Sequence, residues 1–196
     1  MRATSHCPSV PGDPRIASVT DMADKFITNY EDVTVYGLDA ETEDLMHEQQ
    51  KELTFCWTTK DGSPMASILS YFRKDGKFWM TSAAHRKRVP AIRRDPRVAI
   101  VITSTGQAMG GGRTVTYKGT ARVLDDRATK EWFYPALADR LYGASPERAA
   151  EFAKMLDSPD RIVIEVTPGL RVGYDGAKMA AATTRSREAG VLKTLD

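Results

Sequence analysis

The chain is short of the residues that most often announce a chemistry. Of 196 residues only two are cysteines and three are histidines. Cys7 stands in a proline-rich N-terminal stretch and Cys56 in an apolar run, so the thiols suggest a reducing compartment and no disulfide framework. His6, His47 and His85 are far apart and lack any ligand spacing, which argues against a metal site. Ser67 and Ser70 have no nucleophile-elbow context, and no catalytic triad or carboxylate pair can be assembled. No apolar run approaches the roughly 18 residues of a membrane span, and the segment from Met1 to Pro8 has no apolar core of a secretion signal. A cytoplasmic location without membrane attachment is the expectation. With 28 basic and 26 acidic residues the net charge is only +2, which gives little reason to expect a nucleic-acid binder. A hydrophobic content of 41% and a charged content of 28% are ordinary for one globular domain with a real core.

What charge there is lies concentrated. The thirteen residues His85 to Arg97 hold six Lys or Arg against the single acid Asp95, a local charge of about +5. Pro90 belongs in the first turn of a helix, where its missing N–H costs nothing, so a short helix is expected from about Val89 to Arg94. Helix-start N–H groups flanked by Arg86, Lys87 and Arg88 describe an anion site, above all for phosphate. A solvated charged face and a nucleic-acid contact are the alternatives that the residues alone leave open.

Residues 1–20, with Pro8, Pro11 and Pro14, read as a tail, followed by a short helix from Asp21 to about Tyr30. A second helix is expected over Asp39–Lys51, with Leu45 and Met46 facing inward. Strands then follow at Leu53–Thr59, Met65–Phe72 and Phe78–Ser82, joined by Asp61-Gly62 and Asp75-Gly76, both good hairpin turns. Further strands are expected over Arg97–Ser104, Arg113–Leu124 and Arg161–Thr167. Gly110-Gly111-Gly112 forms a hairpin connection, and Gly119 marks a bulge or barrel corner. Helices are expected over Ala128–Tyr142, capped by Asp125 or Asp126, and over Pro146–Leu156. The three tryptophans and Cys56 read as packing. The domain is expected to span 21–175, with 176–196 a C-terminal tail that is either a short helix or disordered. Six mainly antiparallel strands with peripheral helices predict a closed or partly closed β-barrel.

Five segments in order resemble the pyridoxamine 5′-phosphate oxidase-like family of flavin-binding split barrels. They are Thr58-Thr59-Lys60-Asp61-Gly62-Ser63-Pro64, Trp79-Met80-Thr81-Ser82, His85-Arg86-Lys87, Arg94-Asp95-Pro96-Arg97-Val98 and Tyr117-Lys118-Gly119-Thr120-Ala121-Arg122-Val123, together covering about residues 45–125. The resemblance implies a six-stranded antiparallel split barrel that holds flavin mononucleotide (FMN), or the deazaflavin coenzyme F-420, at a homodimer interface. By resemblance Arg86 and Lys87 hold the cofactor phosphate, Thr81 and Ser82 lie along the ribityl chain, and backbone from Ala66 through Ser67 to Ile68 faces the ring. Met80 and His85 complete the expected cofactor set. His85 stands where many flavin-binding members have Ser and some deazaflavin-binding members have Arg, so both cofactors stay open. The implied activity is hydride transfer between the ring N5 and a small organic substrate, with no obligatory catalytic side chain. A true pyridoxamine phosphate oxidase would carry an Arg-Leu-x-Pro terminal strand; this chain reads Leu170-Arg171-Val172-Gly173-Tyr174-Asp175, so a reductase branch is expected. Arg171 and Lys178 are further candidates for a ligand or partner contact. A non-catalytic flavin or haem carrier and, more remotely, a nucleic-acid-binding module are the alternatives.

Overall fold

The computed structural model describes residues 33–190. The helix expected over 21–30 and the tail before it lie outside the described residues. Gly37–Ala177 form one compact unit, and the remaining described residues belong to a second. In that second unit Val33–Val35 make a single 3₁₀ turn.

The larger unit is a closed antiparallel barrel. Its elements are α1 (Ala40–Gln49), β1 (Glu52–Thr58), β2 (Pro64–Lys74), β3 (Lys77–Ala83), α2 (Arg88–Arg94), β4 (Arg97–Thr103), β5 (Arg113–Leu124), α3 (Arg127–Tyr142), α4 (Pro146–Leu156) and β6 (Arg161–Asp175). The strand order around the barrel is β1-β2-β3-β6-β5-β4. A final helix, α5 (Gly176–Glu188), follows β6 directly, so the first of the two readings of that segment holds through Glu188.

Alternation builds the barrel. β1 reads exposed, buried, half-buried along Glu52–Thr58, so Leu53, Phe55 and Trp57 point inward, and β4 does the same with Val98, Ile100 and Ile102. Both Asp-Gly turns have the backbone they need: Gly62 at φ 86°, and Asp75 and Gly76 at φ 54° and 71°. Asp126 caps α3 by accepting the Thr129 N–H at 2.8 Å. Outside the barrel, α3 and α4 cover a second apolar cluster in which Trp132 meets Trp79 edge-on at 4.8 Å.

Gly119 is the bulge that the sequence predicts, since the β5–β6 register slips between Tyr117 and Gly119. A Cβ there would lie 2.4 Å from the Thr167 carbonyl oxygen, a backbone atom that cannot step aside. Gly119→Ala is therefore expected to destabilise the fold by about 2–3 kcal/mol, read as a shifted denaturation midpoint with an unchanged slope.

Two expectations are corrected. β6 runs eight residues past Thr167, because Pro168 falls opposite the Gly119 bulge and this part of β6 pairs with β5 alone. Proline is tolerated at a bulge or an edge, where no ladder bond is lost. In α1, Met46 is buried but Leu45 is 42% exposed; the inward face is Glu43, Met46, His47 and Gln50. That face is polar because it covers tyrosine hydroxyls rather than aliphatic side chains.

Candidate cofactor-binding site

The barrel has a loose seam between β2 and β3. β2 pairs with β1 from Pro64 to Ser70, but with β3 only from Tyr71 to Lys74. Had the β2–β3 register continued, Ser70 would face Thr81 and Ile68 would face Ala83; instead β3 turns to β6 over Phe78–Ala83. One lip of the opening is thus the edge of β2 at Pro64–Ser70, with no β3 partner. The other lip is β3 from Thr81 onward and the turn that leaves it.

That turn carries the cations. It is fixed by main-chain bonds from Ala84 N–H to the Asp160 carbonyl at 2.7 Å, from Arg86 N–H to Ala83 at 3.1 Å and from Val89 N–H to Arg86 at 2.8 Å. His85, Arg86 and Lys87 are exposed, and among the described residues none of them makes an ion pair. At the helix start the Val89 N–H is already used, Pro90 has none, and the Ala91 N–H donates to the Lys87 carbonyl at 3.3 Å. The helix contributes little, and the side-chain charges carry the site.

The expected residues divide by face. Ala66 and Ile68 are exposed on the β2 lip and Ser67 is half-buried beside them. Thr81 lines the other lip, its hydroxyl donating to the Ile162 carbonyl at 3.0 Å. Ser82 is buried and donates to the Ala83 carbonyl at 3.3 Å. Met80 is fully buried in the barrel core, so its main chain borders the seam while its side chain does not.

Arg88 was not singled out from its neighbours in the sequence, and it is the best anchored of the cations. Its guanidinium donates to the Ser67 hydroxyl at 2.7 Å and lies over the Trp57 ring at 5.5 Å. It therefore ties the cationic turn to the β2 lip. Burial, with repulsion from Arg86, pulls its pKa below the usual guanidinium value.

Beside the seam a cleft of about 810 Å³ opens between the β1–β2 turn and α2, lined by Trp57, Met65, Lys60, Lys87, Pro90 and Arg94, among others. Arg94 is held there by a bond to the Thr58 carbonyl at 3.0 Å, whereas Arg97 is paired with Asp95 at 2.8 Å.

A second polar cluster sits under α1, at the other end of β1. His47 Nδ1 lies 3.1 Å from the Tyr71 hydroxyl and Nε2 3.1 Å from that of Tyr117. The Tyr117 hydroxyl donates to Glu43, which also pairs with Arg171. Arg171 is thereby tied to α1 and the residues before it, since Nη2 also donates to the Leu38 carbonyl at 2.8 Å. Burial, reinforced by the nearby Arg73 charge, lowers His47 to about 4. Burial opposes ionisation of Glu43, but the Arg171 and Tyr117 bonds outweigh it and hold the carboxyl below its ordinary value.

A closed antiparallel barrel opened along one seam, with a cationic turn at its lip, is the architecture of the split barrels. The family model described as pyridoxamine 5′-phosphate oxidase matches residues 38–170, and the chain belongs to that family. No curated protein matches the sequence. Among solved structures, a conserved hypothetical protein, Rv2991, of Mycobacterium tuberculosis superposes with a TM-score of 0.63 at 19% identity, covering 74% of this chain and 90% of its own. An F420 reductase superposes at 0.51 and 19%, covering 65% and 94%. The haem storage protein HutZ of Vibrio cholerae does so at 0.52 and 12%, covering 69% and 96%. At these identities the likeness is one of fold.

Proposed function

We propose that this chain is a flavin- or deazaflavin-dependent oxidoreductase that transfers hydride between the cofactor N5 and a small organic substrate. FMN is the first candidate and coenzyme F-420 the second. The observation that carries the reading is the meeting of three cations, Arg86, Lys87 and Arg88, with an unpaired strand edge across one seam.

The residues present fit such a group. Exposed Arg86 and Lys87 suit a phosphate, the first as a planar fork and the second as a point charge. The main chain of Ala66–Ile68 offers donors and acceptors to the polar rim of a ring. When bound, the cofactor supplies the hydride chemistry through its own ring. The protein's part is to fix the phosphate end, hold the β2 lip through the Arg88–Ser67 bond, and shield one ring face.

The cofactor is proposed to lie between two copies of the chain. Met65 and Ile68 on the β2 lip, and Leu170 and Val172 on the overhanging half of β6, are 48–60% exposed, unusually open for large apolar side chains. A cytoplasmic setting is part of the proposal; no described helix is long and apolar enough to cross a membrane.

Titration of the purified protein with FMN and, separately, with F-420, followed by calorimetry, tests the reading. Tight binding of one is expected, followed by reduction of bound FMN with a nicotinamide donor or, for the deazaflavin supplied in its reduced form, its oxidation by an unsaturated acceptor. Retention without turnover would favour a carrier. Binding of neither would return the basic run to a solvated face.

A further inference from the structure

The cleft between the β1–β2 turn and α2 is more than the cofactor reading uses. Of its lining residues that reading employs only Lys87 and Met65. The lining is otherwise apolar through Trp57, Met65, Pro90 and Ala91, and basic through Lys60 and Arg94, with Thr59 and Ser63 between. Arg94 is not a free surface arginine, because its guanidinium, carried by the last residue of α2, donates to the Thr58 carbonyl on β1.

One acid, Asp61, also lines the space. Its carboxylate accepts from the Thr59 hydroxyl and from the Ser63 N–H at 3.3 Å, so it is folded back into its own turn. Those bonds hold it below the usual carboxylate range. Three cations, Lys60, Lys87 and Arg94, against one self-satisfied acid leave the cleft with a positive surplus beside its apolar lining.

We propose that this cleft binds the substrate, and that the substrate class is a flat, apolar organic anion: a conjugated or aromatic carboxylate whose body lies on Met65 and Pro90 and whose carboxylate is taken by Arg94 and Lys60. Arginine meets a carboxylate with two parallel N–H bonds, which fixes orientation as well as affinity. Naming the ligand a substrate rests on the cofactor reading; the existence of the site does not.

Calorimetric titration of the full chain with trans-cinnamate and its neutral isostere cinnamamide tests this, with and without saturating FMN. Cinnamate is expected to bind at least tenfold more tightly than cinnamamide, in the range of one charge-assisted bond. Lys60→Gln and Arg94→Gln, singly and together, should erase that preference; Lys60 is exposed and its change cannot unsettle the fold. Equal binding of acid and amide, no binding of either, or a preference untouched by both changes overturns the proposal. If FMN expels cinnamate competitively, the cleft belongs to the cofactor and the substrate assignment falls. A cinnamate preference with no FMN binding keeps the site and removes the cofactor reading. FMN binding without the preference does the reverse.

Discussion

Changing Arg86 and Lys87 together to alanine should lower the affinity for FMN or F-420 by two to four orders of magnitude and leave the melting temperature nearly unmoved. Each charge-assisted hydrogen bond to a phosphate is worth about 1.5–3 kcal/mol, and the double change removes two of them, about 3–6 kcal/mol. Stability should hold because both side chains are exposed and, among the described residues, neither makes an ion pair. Arg88→Ala should behave differently. It removes the Ser67 bond and the Trp57 contact as well as a charge, so both affinity and thermal stability should fall. Titration calorimetry paired with a thermal melt separates the two patterns. Unchanged affinity in the double variant would remove the cationic turn from the cofactor site.

The second large effect is a loss of stability in mild acid. His47 titrates near 4 in the folded chain and near 6.5 when unfolded. Between those values the unfolded chain binds the extra proton, so stability drops as pH falls from about 6.5 toward 4. A shift of that size corresponds to about 3 kcal/mol, or roughly 6–12 °C in melting temperature for a domain of this length. Glu43 acts in the same direction at lower pH. Its folded pKa is depressed, so the stability from its Arg171 and Tyr117 bonds is present at neutral pH and is lost as pH falls through that folded value. His47→Gln should be less stable at pH 7 yet show a flatter acid limb. Melts at pH 7 and 4.5 on both proteins check this, and parallel limbs would rule His47 out as the cause.

The strands were legible because their inward positions are apolar and their turns carry Asp-Gly; β5 and α4 have the bounds that alternation and Pro146 predict. The family showed in five short segments. α1 was harder to phase. Its inward residues Glu43, His47 and Gln50 satisfy partners on β2, β4 and β5 that lie 24 to 74 positions away, and no local pattern encodes those distances. The end of β6 was misplaced for a related reason: Pro168-Gly169 looks like a stop unless the facing residue is known to be the Gly119 bulge. At the seam, Arg88 is indistinguishable from Arg86 until the fold sets Ser67 and Trp57 beside it. Met80, Thr81 and Ser82 lie on the strand that the sequence predicts, but sequence could not say which of their side chains the barrel would keep for itself.

The β2 lip has a consequence for how such a chain can diverge. An edge made of peptide groups presents the same donors and acceptors whatever side chains hang from it, proline excepted. Apart from Ser67, which carries the Arg88 bond, residues 66–70 can therefore be exchanged widely over time without erasing what the edge offers. Selection on this lip would register mainly as an avoidance of proline after Pro64, and two proteins sharing few letters here could still present the same row of donors and acceptors.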